Sequence, residues 1–136
     1  MRNLSTWSKT NIILTFIILF VAFLAPILME KFVYGGKIQE AESVCNNIAK
    51  KQSELYAIKN EYTQVKKSNQ SLLTTMLGIR NVDLQYYDYT VSTTTKSFKI
   101  VVEPKVKFLK ERTVPPQVYT YTHLLDGADS KKWSSL

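Results

Sequence analysis

Ile12-Ile13-Leu14-Thr15-Phe16-Ile17-Ile18-Leu19-Phe20-Val21-Ala22-Phe23-Leu24-Ala25-Pro26-Ile27-Leu28-Met29 carries no charge. At about 1.5 Å of rise per residue, a helix of this run approaches the roughly 30 Å of a bilayer's hydrocarbon core. A water-soluble helix this long needs a polar face, and the segment from Ile12 to Leu24 has none. Residues 11–30 are therefore expected to form a transmembrane anchor. Its apolar surface is assigned to Ile12, Ile13, Phe16, Ile17, Leu19, Phe20, Phe23 and Leu24, with Pro26 near one end. A cleaved signal peptide would have a shorter apolar core of about 7–15 residues and a small-x-small cleavage site. Pro26-Ile27-Leu28-Met29-Glu30-Lys31-Phe32 offers no such site. Arg2 and Lys9 flank one side of the run and Lys31 and Lys37 the other, so charge biases the orientation little. Residues 1–10 are too short to form a domain. The economical topology puts them in the cytoplasm and everything beyond the anchor outside.

Beyond the anchor the chain is expected to form one modest domain, marginal without support from partners or the membrane. The single cysteine, Cys45, excludes an intrachain disulfide. It is either an inert thiol or a link to another copy. The single histidine, His123, has no metal-ligand spacing around it, and no phosphate loop, nucleophile elbow or HExxH motif occurs. The expectation is a protein that is not an enzyme and needs no cofactor or metal.

Beyond Val33-Tyr34, the pair Gly35-Gly36 weakens a helix by about 1 kcal/mol per glycine and is expected to act as a hinge. Residues 31–78 then read as an amphipathic helix, with Gly78 as terminator. Ile38, Ala41, Val44, Cys45, Ile48, Leu55, Tyr62 and Val65 recur at helical spacing, while Glu40, Asn47, Lys50, Lys51 and Glu54 lie opposite. Ile38, Ala41, Cys45, Ile48, Leu55 and Tyr62 are the candidate packing or assembly face. Gln52 interrupts a strict heptad, which favours packing on a sheet over a coiled coil with further copies.

Residues 79–136 read as a small antiparallel β domain with a polar C-terminal tail. Strands are expected at Leu84–Val91, Ser97–Pro104 and Val118–Thr122, with a further one at Lys105–Leu109. Asp126-Gly127 is a turn signature, and Trp133 is the one aromatic residue of the tail, placed to dock on the sheet. The fold class is thus α+β: an N-terminal transmembrane helix, extended by an amphipathic helix packed on a small antiparallel sheet.

This order of parts resembles the type IV pilins and pseudopilins. The resemblance is carried by Ala25-Pro26, by Gln39-Glu40-Ala41-Glu42, by Ile48, Gln52 and Tyr56 at four-residue spacing, and by the strands up to Leu124-Leu125-Asp126-Gly127. It spans nearly the whole chain through short, degenerate elements. It implies a pilin-like fold and a structural role in an envelope assembly. One departure stands out. Aligned on Pro26, the start of the family's mature helix falls near Ser5, which comes after Leu4 and not glycine, and the family's buried glutamate falls at Lys9. The chain is therefore expected to escape prepilin peptidase and to stay in the membrane or assemble by other contacts.

Lysine and arginine number 18 against 11 acidic residues, a net charge of +7. Lys99, Lys105, Lys107, Lys110 and Arg112 form a candidate anion-binding set. A basic strand face can attract nucleic acid or anionic lipid, but such alternation is more often the solvated side of a sheet. The leading expectation is a non-catalytic single-pass protein of a bacterial cytoplasmic membrane, with its C-terminal domain in the periplasm or outside. Its partners would be the membrane and other subunits of a pilus, secretion system or flagellar motor, including further copies of itself. The alternative is a membrane-tethered module holding DNA or an anionic polymer on a basic sheet face; nucleic acid is the less favoured partner.

Overall fold

The computed structural model describes residues 4–136, with side chains from Ser8 onward. Arg2, one of the flanking charges, lies outside the described residues. The chain divides into two compact units, Met1–Gly35 and Gly36–Leu136. One helix, α1 (Leu4–Lys59), runs through both. Gly35 and Gly36 lie inside it, so the expected hinge is not a break in the helix, although the two units part there. Helix formation is cooperative, and the ordered turns on either side outweigh the weak propensity of two glycines.

In the first unit α1 carries the apolar run. Pro26 stands inside the helix, where it lacks the N–H for its own i−4 bond. Thr15 satisfies its hydroxyl by donating to the Asn11 carbonyl at 2.7 Å.

In the second unit the helix stops well short of residue 78. Asn60 takes a left-handed backbone conformation (φ 59°) and its N–H donates to the Tyr56 carbonyl at 2.8 Å. Asparagine tolerates that conformation better than most residues, and it closes the helix. What read as a continuing helix is a loop, a 3-10 turn (Lys67–Asn69) and a short helix α2 (Ser71–Thr75). Gly78 does terminate a helix, but it is α2. At φ 65° it lets the Ile79 N–H reach the Leu73 carbonyl at 2.9 Å. A second 3-10 turn, Asn81–Leu84, leads into the sheet.

The sheet is an antiparallel meander of β1 (Tyr87–Thr93), β2 (Ser97–Pro104), β3 (Gln117–Leu124) and β4 (Ser130–Ser135), in that spatial order. Alternate residues face the helix, as the pleat requires: Tyr87, Tyr89 and Val91, then Phe98, Ile100 and Val102, then Tyr119 and Tyr121 are buried. They form one core with Ala41, Val44, Cys45, Ile48 and Ala49 of α1. The α+β layout expected from sequence is therefore present.

Two elements differ from expectation. Lys105–Leu109 is not a strand: Val106–Lys110 forms a short helix, α3. Phe108 and Leu109 are adjacent yet both pack partly against the core, which an alternating strand cannot do and a helical turn can. The polar tail, in turn, is a strand. The Asp126-Gly127 turn closes with the Gly127 N–H on the Leu124 carbonyl at 3.2 Å, and Ser130–Ser135 pairs along β3 from Gln117↔Ser135 to Thr122↔Ser130. Trp133 packs on Tyr119 at 4.8 Å between ring centroids and donates to the Glu42 carboxylate at 2.8 Å.

Candidate functional site

The anchor residues are on the outside of their helix. Ile12, Ile13, Phe16, Ile17, Leu19, Phe20 and Phe23 are all more than half exposed, Phe23 at 72 %. Leu24 is less so. The most apolar window of α1 has a mean hydropathy of 3.0 and none of it is buried. This helix is long and apolar enough to cross a membrane. Apolar surface on this scale is rare on monomeric soluble proteins.

The candidate packing face forms a buried seam at its centre. Ala41, Cys45, Ile48 and Tyr62 are buried, and Ile38 and Leu55 are partly shielded. Tyr62 belongs to the loop after α1, not to the helix. It stacks on Tyr56 at 4.5 Å and meets Phe98 edge-on at 5.0 Å. Cys45 is wholly enclosed, and burial, reinforced by the nearby Glu42 carboxylate, pushes its thiol far above the ordinary range. In that state it is unreactive.

The residue that interrupts the heptad explains how the loop is held. Gln52 is fully buried. Its Nε2 donates to the Thr63 carbonyl at 2.6 Å, and its Oε1 accepts from the Thr63 N–H at 2.7 Å. Gln70 does the same for Tyr89, donating to its carbonyl at 2.8 Å and accepting from its N–H at 2.9 Å. Between them, Val65 and Val91 exchange backbone hydrogen bonds of 3.0 and 2.8 Å. Two side-chain amides and one bridge thus tie down the loop, and Gln70 and Val65 together cap the outward-facing polar groups of β1 at Tyr89 and Val91. An otherwise open sheet edge is blocked. Replacing Gln52 by leucine keeps the volume but strands both polar groups of Thr63. A loss of about 1–3 kcal/mol is expected, read as a lower urea midpoint together with faster exchange of the Thr63 amide.

The candidate anion-binding set is not a face of the sheet. Lys99 is exposed on the outward side of β2, whereas Lys105, Lys107, Lys110 and Arg112 lie on and around α3. The alternation that suggested a basic strand therefore belongs to a connection between strands.

One polar cluster had no sequence signal. Asp129, just before β4, accepts a hydrogen bond from the Tyr121 hydroxyl and lies 2.6 Å from His123 Nδ1. Burial alone would raise the Asp129 carboxyl, but the Tyr121 and His123 hydrogen bonds and the nearby His123 and Lys131 charges outweigh it and leave it below the usual carboxylate range. The cluster pins the β3–β4 turn. Spacings of eight and six residues along the chain join only once the turn has folded. Among the described residues no group of three or more His, Cys, Asp or Glu side chains is placed to hold a metal. Two open depressions of about 550 and 410 Å³ flank the helix–sheet unit, and neither is lined by histidine or cysteine.

No family model matches this chain, and no curated protein or solved structure matches it, so its function is read from these residues and their arrangement.

Proposed function

We propose that the chain is a non-catalytic, single-pass protein of a bacterial cytoplasmic membrane, with its N-terminus in the cytoplasm and a pilin-like domain outside. It serves as a structural subunit or assembly component of an envelope machine of the pilus, secretion-system or flagellar-motor kind. One observation carries the reading. A single helix is unburied and apolar over one stretch, and in its later turns it is the buried spine of a four-stranded antiparallel meander. The side chains that hydrogen-bond between elements of the domain support a scaffolding role. Gln52 and Gln70 bind the protein's own backbone, and Trp133 binds Glu42.

The alternative of a polymer-binding sheet has less support, because only Lys99 of the basic set lies on the sheet.

The test is extraction of membranes with alkaline carbonate. The full chain should stay in the pellet, and a Leu19→Arg/Phe20→Arg variant should shift to the soluble or degraded fraction, since each arginine costs about 2.5–3.5 kcal/mol at a helix centre in the bilayer. In mild detergent the native protein should bring envelope-machine subunits with it. Release of the unaltered chain by carbonate, or a native mass that begins beyond Phe32, would refute the anchor.

A further inference from the structure

The connection from β2 to β3 holds Lys105, Lys107, Lys110 and Arg112 against one carboxylate, Glu111. Four other cations of the second unit are in ion pairs, Lys37 with Glu40, Lys51 with Glu54, Lys67 with Glu103 and Arg80 with Asp83, while Lys50, Lys59, Lys66, Lys96, Lys99, Lys131 and Lys132 are spread singly or in twos over the rest of it. Among the described residues none of the four around α3 has a carboxylate within ion-pair distance. Val106 stands among them with 64 % of its surface exposed. An unpaired basic cluster around an exposed aliphatic side chain is the chemistry of a lipid–water interface.

The position of α3 within its unit points the same way. The Phe108 ring meets Tyr86 edge-on at 4.7 Å, and Lys37 Nζ sits 3.2 Å above the Tyr86 ring. The Lys105 N–H also donates to the Tyr86 carbonyl at 3.0 Å. Lys37 is one residue past Gly36, where the unit begins. So α3 packs at the end of the unit through which the chain enters from the apolar helix. Lys37 is eight residue steps beyond Met29, and a chain of that length reaches at most about 28 Å even when fully extended.

We infer that α3 and its flanking cations rest on the anionic lipid headgroups of the leaflet from which the chain emerges, with Val106 dipping into the interface. This rests on the anchor proposed above. Lipid fits better than nucleic acid because the aromatic rings beside the cations, Tyr86 and Phe108, face one another and Lys37, so they are not free to stack on bases.

The experiment is hydrogen–deuterium exchange of the full chain in nanodiscs of phosphatidylcholine alone, or of phosphatidylcholine mixed equally with phosphatidylglycerol. Incorporation into the discs is read first; a chain that does not enter them refutes the anchor, and the inference falls with it. For an incorporated chain, amides of residues 105–112 should exchange at least about fivefold more slowly in the anionic discs, the effect of roughly one lysine contact at a charged leaflet. The difference should vanish in high salt and in a Lys107→Glu/Lys110→Glu variant whose β2 amides stay protected. Equal exchange in the two disc types would overturn the inference. So would slowing in neutral discs on adding duplex DNA, which would make the patch a nucleic-acid surface. The salt comparison on the unaltered chain decides the matter even if the variant does not fold.

Discussion

Ile48→Asp should abolish folding of the helix–sheet unit while leaving the membrane helix intact. Ile48 has no exposed surface and sits in the middle of the seam where α1 meets the sheet. The substitution removes an apolar side chain from a close-packed site and puts a carboxylate there with no cation to pair it. Either the charge stays, at several kcal/mol, or the group is protonated and remains a buried polar group without a partner. The combined loss is expected to be about 4 kcal/mol or more, a large share of the roughly 5–15 kcal/mol that stabilises a typical domain. Circular dichroism and limited proteolysis of the full chain in detergent should show loss of strand signal and cleavage within residues 79–136. Two controls isolate the cause. Ile48→Val should cost only about 0.5–1.5 kcal/mol. Ile58→Asp, on the same helix but 80 % exposed, should stay within about 0.5 kcal/mol of the parent. Comparable losses at both positions would mean that the seam is not the site of packing.

The second large effect is at alkaline pH. Tyr87 and Tyr89 are buried side by side on β1, their ring centroids 6.4 Å apart, and neither hydroxyl has a hydrogen-bond partner. Burial, reinforced by the Glu40 carboxylate at Tyr87 and by Cys45 and Glu40 at Tyr89, holds both phenols far above their ordinary value of 10. Tyr119 is likewise raised by burial, to about 12. Above pH 10 the unfolded chain ionises these phenols and the folded chain keeps their protons. Their contribution to stability is therefore fully present below about pH 10 and is lost as pH rises toward the folded values. Each such tyrosine adds a slope of about 1.4 kcal/mol per pH unit, and Tyr87 and Tyr89 together about double that. The domain should unfold steeply within about two pH units above pH 10. A Tyr87→Phe/Tyr89→Phe variant should lose the share of that slope carried by these two phenols, about 2.7 kcal/mol per pH unit, and keep the share of Tyr119, Tyr121 and Cys45. It should also be at least as stable at neutral pH, because it removes two buried hydroxyls that have no partner. Urea midpoints measured across the alkaline range test both arms. A double variant several kcal/mol weaker at neutral pH would show that the hydroxyls are satisfied in solution.

Much of the layout was legible because it depends on side chains alone. The uncharged run from Ile12 to Met29, the helical recurrence of Ala41, Cys45 and Ile48, and the alternation of Ser97–Pro104 each carry their reading within a few turns or one strand. Gln52 reads as an interruption of a stripe, which rules against a strict coiled coil. That it clamps Thr63 was not legible, because an amide bonding to backbone leaves no pattern in the residues it binds. The β3–β4 cluster of Tyr121, His123 and Asp129 was hidden for a related reason: its members are neighbours only across a turn.

The sequence by itself determined that the run from Ile12 to Met29 is a helical stretch too apolar for water, and that a helical face and an alternating sheet come after it. These are properties of side-chain hydrophobicity and its period, which are local. Only the tertiary structure decided that α1 ends at Lys59, that the basic stretch after Pro104 turns into α3, and that Ser130–Ser135 becomes the fourth strand. Each of these depends on where backbone groups find partners. A polar segment such as β4 pairs with β3 through N–H and C=O groups that every residue but proline supplies, and one tryptophan fixes it against Tyr119 and Glu42.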